Sequence, residues 1–305
     1  MPTNVRNSIE KINLDHLLME NLELASHSSI QCGGNAQWAA YPTNFEELRI
    51  LINHAKDNNL PLSILGGATN TLISDKGVEG LVILTGHLAR RHVQGEMFCV
   101  RSGCPLDKAI SQAIEDGLEG LEMLGGIPGT VGGAIYGNSG ANGVQIGDLL
   151  YYVDYMTLDG KLHRMQIHQD EFSYRHSPFT GRDDLIIYEA GFRLKPTTQT
   201  SEVRKRKDTV KKHRKHKGLY DYPSLGSVFK NPEGKKAAAL IDACNLKGHT
   251  IGGASISPTH ANIIINREGK ATSEDVRALI EYIRAVVQSE FHITLQEEIH
   301  YLGRW

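Results

Sequence analysis

Two glycine-rich segments hold the residues of this sequence that are best suited to bind an anionic ligand. The first is LGGATNTL at residues 65–72, which follows a strand-like run, and the second lies within residues 124–143, which contain eight glycines. Glycine allows close approach to the backbone, and freed N–H groups form an anion-binding concavity. Asn70, Asn138 and Asn142 add amide donors. Either segment alone is equally consistent with tight turns, but two segments beside strands predict a site for a dinucleotide diphosphate.

The two segments do not follow the commoner nucleotide-binding signatures. Neither G-x-G-x-x-G nor G-x-x-x-x-G-K-[ST] occurs, so the glycines are not those of a Rossmann fingerprint or a P-loop. Metal-binding spacing is also lacking: HRKH at 213–216 has no cysteine or acidic partner at ligand spacing, and the four cysteines form no C-x-x-C. We therefore expect no metal site, and reduced thiols in a cytoplasmic protein.

Helical and strand-like patterns alternate around these segments and predict an α+β protein. Thr43 and Glu46 form a potential capping box for the first helix, and Thr272 and Asp275 form one for the last. The predicted helices cover residues 43–59, 105–117, 237–248 and 272–291. The predicted strands cover residues 60–67, 79–86, 97–103, 149–167 (a hairpin with an Asp-Gly turn), 184–194, 261–269 and 293–303.

Charge and hydropathy exclude two classes of partner. The chain of 305 residues has a formal net charge of -2, which does not favour nucleic acid or an anionic membrane. No apolar run reaches the roughly 18–20 residues of a membrane span. Residues 204–217 contain nine Lys and Arg residues. We expect a solvated helix face there, and the alternative is a local basic funnel for the phosphates of a nucleotide.

Six strings in this order carry a family resemblance: HSSIQCGGNAQWAAYPTN, LGGATNTLISDKGVEGLVI, GIPGTVGGAIYGNSGANG, FSYRHSPF, PSLGSVFKNP and LQEEIHYLG. Together they resemble the UDP-N-acetylenolpyruvoylglucosamine reductase (MurB) family of bacterial cell-wall synthesis, from about residue 25 to the C-terminus. The short spacing between YRHSPF and GSVFKNP resembles the second structural type of that family, which lacks an extra tyrosine-bearing loop.

The resemblance implies tightly bound FAD, in a two-subdomain PCMH-type module followed by a C-terminal α+β domain that binds substrate. It also implies that NADPH is the co-substrate and that a nucleotide sugar is reduced. The FAD-binding residues that it implies are Gly66, Gly67, Ala68, Thr69, Asn70, Gly126, Ile127, Pro128, Gly129, Thr130, Gly132, Gly133, Asn138 and Ala141.

Three residues match catalytic positions of the family. Ser227 in GSVFKNP matches the proton donor, and Arg175 in FSYRHSPF matches an arginine suited to hold a carboxylate through two parallel bonds. Glu298 in LQEEI matches an active-site glutamate. If residues 293–303 form a strand, Glu297 and Glu298 face opposite sides, so only one of them serves the site.

Four further residues match substrate-binding positions of the family: Tyr174, Lys217, Asn231 and His260. Strand alternation around FSYRHSPF would place Tyr174 on the face opposite Arg175. The KGL that begins at Lys217 departs from the lysine-glutamine-proline string of many relatives. SIQCGG also departs from F-R-I-G-G, so Gln31 stands where an arginine contact is usual.

The predicted domain boundaries follow the resemblance and the change of composition at 196–217. They are FAD subdomain 1 at 1–85, FAD subdomain 2 at 86–200 (with the module at about 20–197) and the substrate-binding domain at 201–305. We expect a monomer or weak oligomer with no nucleic-acid partner. Two other readings stay open at this stage: another PCMH-type flavin oxidoreductase, and a non-redox nucleotide-sugar-binding protein on the same scaffold.

Overall fold

The computed structural model describes residues 13–95 and 97–305. The start of the predicted first subdomain, residues 1–12, lies outside the described residues. The helices are α1 (Phe45–Asp57), α2 (Leu106–Glu115), α3 (Val131–Tyr136), α4 (Thr200–His216), α5 (Ala237–Ala243) and α6 (Ser273–Phe291).

The strands are short and are distributed over the whole described chain. In chain order they are β1 (Leu18–Glu23), β2 (Asn35–Ala40), β3 (Leu62–Leu65), β4 (Thr71–Ile73), β5 (Val78–Leu84), β6 (Arg91–Gln94), β7 (Met97–Arg101), β8 (Leu118–Glu119), β9 (Gly140–Ala141), β10 (Val144–Gln145), β11 (Leu150–Thr157), β12 (Leu162–Gln166), β13 (Leu185–Arg193), β14 (Lys195–Pro196), β15 (Ser224–Ser227), β16 (Thr250–Ile251), β17 (Ala254–Ile256), β18 (Ile263–Ile265) and β19 (His300–Leu302).

The first sheet has the order β1-β2-β5-β3. Strand β2 is antiparallel to β1 and parallel to β5, and β5 is parallel to β3. Helix α1 buries Leu48, Leu51 and Ile52 against this sheet and also contacts Met156 and Ile186 of the next sheet. The helix thus packs between the two sheets. The loop after β3 lies at the carboxyl end of the parallel strands.

The second sheet is antiparallel throughout, with the order β12-β11-β13-β7-β6. One face buries Phe98, Val100 and Phe192 against α2 and α3. Strand alternation turns Cys99 and Glu189 to the opposite face. The second glycine-rich segment follows α2 and runs into α3, so this core fixes its position.

The third sheet, β15-β18-β17-β16, packs one face against α5 and α6. Ile30 and Leu72 from the first part of the chain enter the same core. After α6 the chain returns to the first part, where β19 pairs in parallel with β4. The last residues therefore lie beside the first glycine-rich segment, although more than two hundred residues separate them in sequence.

Most of the predicted elements are confirmed, and three details are wrong. The capping box of α6 is present as predicted, with Thr272 and Asp275 bonded reciprocally. Helix α1 is capped one residue later than predicted, because Asn44 accepts from Glu47 N while the Glu47 carboxylate accepts from Thr43 N. Helix α5 ends at Ala243, well before Gly248. Only His300–Leu302 of the predicted final strand is a strand.

The basic run forms α4, which is only partly solvated. Val203 of this helix lies in the core of the second subdomain, and Lys207 is buried. Four of the nine cations pair with acidic residues of the second subdomain: Arg204, Arg206, Lys207 and Lys211, bound to Glu115, Glu119, Glu122 and Asp107. The expected solvated face is therefore limited to the outer side of the helix, because a helix that packs must neutralise the cations on its inner side.

These contacts bear on the domain boundary predicted at residues 200–201. Because α4 packs on the second subdomain, we propose that the C-terminal domain begins after this helix, near Gly218. Among the helices of residues 13–95 and 97–305, none combines the length and the apolar character that a bilayer span requires.

Candidate active site

The two glycine-rich segments touch each other. A Cβ atom built on Gly67 would lie 3.0 Å from the Gly129 Cα, and one on Gly66 would lie 2.6 Å from Thr130 Oγ1. On the other side of the contact, a Cβ on Gly129 would lie 2.7 Å from Thr69 Oγ1. Glycine is therefore required at these positions for the close approach of the two backbones, and the two segments form one contiguous surface.

Backbone donors line this surface without partners. Within the described part of the chain, no backbone N–H of residues 66–70 donates a hydrogen bond, and neither do those of Gly129 and Thr130. Unpaired N–H groups at a half-buried surface are uncommon unless water or a ligand satisfies them. A run of such donors has the chemistry to hold a diphosphate, so the residues present fit the FAD that the resemblance implies.

The remaining residues of the second segment have mainly structural contacts. Gly126 N donates to Asp107 at 3.0 Å, and Ile127 N donates to Leu124 O. Gly132 and Gly133 lie inside α3, which Thr130 caps. Of the other predicted FAD residues, Pro128 directly precedes Gly129, and Ala141 lies in the small β9-β10 hairpin.

The side chain of Asn138, a predicted cofactor residue, is engaged within the protein. Its side chain is fully buried, and both of its amide atoms have protein partners. Oδ1 accepts from Gly147 N at 3.2 Å, while Nδ2 donates to Gln145 and, at 2.8 Å, to Ser173 O. Because no polar atom of this amide is left for a ligand, we propose that Asn138 holds the turn that follows Ser173.

We expect Gly67→Ala to weaken FAD retention about tenfold to hundredfold, because the added methyl group presses on the Gly129 backbone and overpacking costs about 1–3 kcal/mol. Gly86→Ala is the matched control, since Gly86 also avoids positive φ but has open space around its Cβ position. Flavin release during dialysis measures both. Equal retention by the two variants would contradict a cofactor role for the contact between the segments.

A cavity of about 170 Å³ lies next to this surface, and all three predicted catalytic residues line it. Ser227, Arg175 and Glu298 come from segments that are distant in sequence. Asn70 joins the cavity to the first glycine segment, because its Nδ2 donates to Glu298 O at 3.0 Å. The first glycine segment is thus joined directly, through Asn70, to the residue that carries the predicted catalytic carboxylate.

Arg175 lies in a tight turn, so the strand predicted around FSYRHSPF is wrong. Ser173 and His176 exchange two backbone hydrogen bonds, with Tyr174 and Arg175 between them. Arg175 has φ = +56°, which non-glycine residues seldom adopt. As a result, Tyr174 and Arg175 line the same cavity rather than opposite faces, and the guanidinium carbon lies 5.2 Å from the Tyr174 ring centre.

Arg175 and Glu298 form a half-buried ion pair. Arg175 Nε donates to Glu298 Oε1 at 2.5 Å. Burial raises the pKa of Glu298 above its usual range, although Arg175 and then Lys230 oppose the shift. The neighbouring Glu297 faces away, with its oxygens bound to Arg284 and Tyr301. The two adjacent carboxylates therefore face different surroundings, and only Glu298 lines the cavity.

Ser227 stands just after a β-bulge at the end of β15. Ser224 pairs with Ile265 and Ser227 with Ile263, so the strand holds one extra residue, and Gly226 in this stretch has φ = +72°. Bulges redirect side chains, and here the Ser227 side chain borders the cavity. The sequence indicated this only through the glycine before the serine.

Asn262 is a cavity residue that the sequence analysis missed. Its buried side chain accepts from Phe229 N at 3.0 Å and donates to Phe229 O at 2.8 Å. This bidentate clamp fixes the backbone two residues after Ser227. The available signal was a single amide inside the apolar run ANIII, because a polar side chain in a buried strand needs a partner.

We expect Asn262→Leu to lower the free energy of unfolding by about 2–4 kcal/mol, because it leaves two buried polar groups of Phe229 without partners at about 1–3 kcal/mol each. Denaturant titration of the flavin-loaded protein measures this. Asn58→Leu removes the side-chain hydrogen bonds that Asn58 donates to His54 at the exposed end of α1, and it should cost less than about 1 kcal/mol. Equal losses in both variants would rule out the clamp as a source of stability.

Three of the four predicted substrate residues line the cavity. Tyr174 Oη accepts from Asn231 N at 3.3 Å, and the Asn231 side chain accepts from Ala237 N at the start of α5. His260 lines the cavity with a buried Nδ1 that has no partner among the described residues, and burial lowers the pKa of its imidazole. Lys217 is exposed at the end of α4 and is not a lining residue. Phe229, Lys236 and Ala238 line the cavity and were not predicted.

Comparison with known protein families agrees with this division of the site. Residues 36–166 match the family model of the FAD binding domain. Residues 218–302 match the C-terminal domain of UDP-N-acetylenolpyruvoylglucosamine reductase. The donor-lined surface lies in the first matched region and Ser227 in the second. The fold and the site therefore define an FAD-dependent oxidoreductase.

Individual relatives identify the family. The UDP-N-acetylenolpyruvoylglucosamine reductase of Lactiplantibacillus plantarum is 35% identical over 94% of this chain and 94% of its own length. The enzyme of Nostoc punctiforme is 37% identical over 96% of this chain and 88% of its own length. The crystal structure of the Thermus caldophilus reductase superposes with a TM-score of 0.78 at 32% identity, covering 93% of this chain and 98% of that one. The chain belongs to the UDP-N-acetylenolpyruvoylglucosamine reductase family, and the predicted fold class and FAD cofactor are confirmed.

Proposed function

We propose that this enzyme reduces UDP-N-acetylglucosamine enolpyruvate to UDP-N-acetylmuramate with NADPH, as a step of peptidoglycan precursor synthesis. One observation carries the proposal: a hydroxyl, a guanidinium and a carboxyl group from three distant segments line one cavity beside an N–H-lined surface. We further propose that the enzyme works in the cytoplasm as a monomer or weak oligomer, without a nucleic-acid partner.

The reaction adds a hydride to C3 of the enolpyruvyl group and a proton to C2. FAD held at the backbone N–H groups of residues 66–70, 129 and 130 would supply this hydride, with NADPH as its reductant. The addition places enolate charge on the substrate carboxyl group, so a fixed cation beside that group stabilises the transition state more than the ground state. The protein's tasks are to orient the carboxylate, to neutralise the developing charge and to deliver one proton.

Arg175 is suited to the first two tasks. Its Nε donates to Glu298, while its two terminal nitrogens donate to no described residue. They are free to donate two parallel bonds to the substrate carboxylate, the geometry that a guanidinium provides. The turn that Asn138 holds fixes the backbone from which this side chain extends.

Ser227 and Glu298 divide the proton delivery between them. The Ser227 hydroxyl gives its proton to C2, and Glu298, whose pKa is raised by burial, assists the transfer or stabilises the enolate. Tyr174, Asn231 and His260, which line the same cavity, bind the sugar nucleotide, and Lys217, exposed at the end of α4, binds phosphate. The cations of α4 that pair with no acidic residue of the described chain, among them Arg214 beside Gly126, attract the phosphates of both substrates.

A two-step anaerobic experiment tests the proposed reaction. NADPH should bleach the yellow flavin of the purified enzyme, and the UDP-sugar enolpyruvate should then restore the colour in one equivalent. Bleaching without recovery by this substrate would indicate a different flavin oxidoreductase. Protein that stays colourless after reconstitution with FAD would indicate a non-redox nucleotide-sugar-binding protein.

A further inference from the structure

A polar cluster on the second sheet has no part in the proposed reaction. His92 on β6 and Cys99 on β7 are direct cross-strand partners. Cys99 also pairs with Gly191 of β13, and Glu189 lies two residues before that glycine. Directly paired residues share a face of the sheet, as do residues two apart. The three side chains therefore project from the face opposite the core that contains α2.

The ligand atoms of His92, Cys99 and Glu189 all lie within 4.8 Å of one another. They come from three adjacent strands. A ligand bound by all three side chains would therefore link the edge strand β6 to β7 and β13. Sequence spacing gives no hint of this arrangement, because the three positions are separated by 7 and 90 residues and follow no short motif. For that reason the sequence predicted no metal site.

The three groups have few partners within residues 13–95 and 97–305. His92 Nδ1 is buried without a hydrogen-bond partner, and the Glu189 carboxylate has a long ion pair but no hydrogen bond. The closest cation to Glu189 is Arg101, whose Nε lies 3.9 Å away and has no partner either. The buried Cys99 Sγ contacts only Tyr152 Oη, at 3.3 Å. Buried polar atoms normally have partners, and leaving them without one costs about 1–3 kcal/mol each.

We propose that His92, Cys99 and Glu189 form a structural Zn²⁺ site. Imidazole, thiolate and carboxylate are the ligands that zinc takes in proteins, and a water molecule or Tyr152 Oη can complete four-coordination. Zinc bonds of about 2.0–2.3 Å place ligand atoms about 3.3–3.8 Å apart, so the side chains need to close by about 1 Å.

Charges around the cluster are compatible with a divalent cation. A thiolate and a carboxylate together balance Zn²⁺. Of the two nearby guanidinium groups, Arg164 is already neutralised by Asp154 through two bonds of 2.7 Å. Arg101 donates to Thr43 O at 3.1 Å, so it keeps a partner when the metal takes Glu189. Because the metal binds only the folded arrangement of three strands, it should stabilise the native state.

Equilibrium dialysis of the chelator-treated, FAD-loaded enzyme against Zn²⁺ tests this proposal. We expect one equivalent to bind with an affinity that falls at least tenfold in Cys99→Ser and in Glu189→Gln. Cys244→Ser and His216→Gln are matched controls, since both residues lie outside the cluster and should leave binding unchanged. Co²⁺ gives a second readout, because its thiolate coordination produces absorption at wavelengths beyond the flavin bands.

The outcomes distinguish metal binding by the three-residue cluster from nonspecific metal binding at the protein surface. Thiolate absorption that disappears in Cys99→Ser but persists in Cys244→Ser would support the site, as would a rise in melting temperature with Zn²⁺ that Glu189→Gln abolishes. The Glu189 variant keeps the test usable if replacing the buried thiol prevents folding. Binding that is equal in all four variants, or that only His216→Gln weakens, would overturn the proposal.

Discussion

Ser227→Ala should leave reduction of the flavin by NADPH nearly unchanged and slow its reoxidation by the enolpyruvyl substrate about 10²–10⁴-fold, the usual contribution of one positioned acid. Hydride transfer from NADPH requires no proton from this hydroxyl, whereas formation of the C2–H bond does. Stopped-flow absorbance of the flavin, recorded separately for each half-reaction, measures both rates.

Ser224→Ala provides the matched control for Ser227→Ala. Ser224 lies at the other end of β15, is similarly half-buried and is not a lining residue of the cavity. Its loss should leave both half-reactions within about twofold, because within residues 13–95 and 97–305 its side chain has a single, long hydrogen bond of 3.5 Å from Gly226 N. If the Ser227 variant slowed both half-reactions equally, the serine would act through structure rather than through proton delivery.

The sequence was sufficient for the elements that depend on local pattern. The capping box of α6 and the apolar face behind it are readable because both involve residues within one or two turns of each other. The opposite orientation of Glu297 and Glu298 was also predictable, because adjacent residues in extended backbone alternate. The glycines indicated a close backbone approach, although not which backbone would approach.

Contacts between distant segments were not predictable in this way. The left-handed turn at Arg175 depends on Asn138, which lies 37 positions away and donates to the backbone oxygen of Ser173, two residues before Arg175. Asn70 looked like a phosphate donor, yet its amide binds the Glu298 backbone. The inner cations of α4 appeared solvated because their carboxylate partners precede them by roughly 85–105 residues. In each case the partner comes from a distant segment that tertiary packing brings close. Local periodicity in the sequence does not show which segments pack together.

These same contacts connect the cofactor surface with the proposed catalytic groups. Asn70 belongs to the segment whose unpaired N–H groups are proposed to bind the diphosphate, and its side chain also donates to the Glu298 backbone. Ser29 similarly bridges Ala68 O, at 3.0 Å, and Ser224 O on the strand that bears Ser227, at 2.6 Å. Displacement of the first glycine segment should therefore disturb the proton donors as well as the cofactor, so Gly67→Ala is expected to slow reoxidation even at saturating FAD.

Glu298→Gln should slow reoxidation by substrate about 10²–10³-fold while flavin reduction stays within a few fold, because the amide can neither supply a proton nor balance Arg175. The pH dependence of the reoxidation rate gives an independent test of this role. Burial raises the pKa of Glu298, so its protonated fraction falls as the pH rises through that raised value. If the protonated carboxyl assists Ser227, reoxidation by the wild-type enzyme slows over this range, and reoxidation by the Gln variant does not change.

Glu297→Gln separates this effect from a general effect of removing a carboxylate. The two residues are adjacent, but Glu297 binds Arg284 and Tyr301 outside the cavity, so its replacement should lower stability without changing either half-reaction or the pH profile. Retention of the wild-type pH profile in Glu298→Gln would assign the titration to another group. A loss of reoxidation in Glu297→Gln equal to that in Glu298→Gln would show that the C-terminal segment acts by positioning, because only one of the two carboxyl groups reaches the cavity.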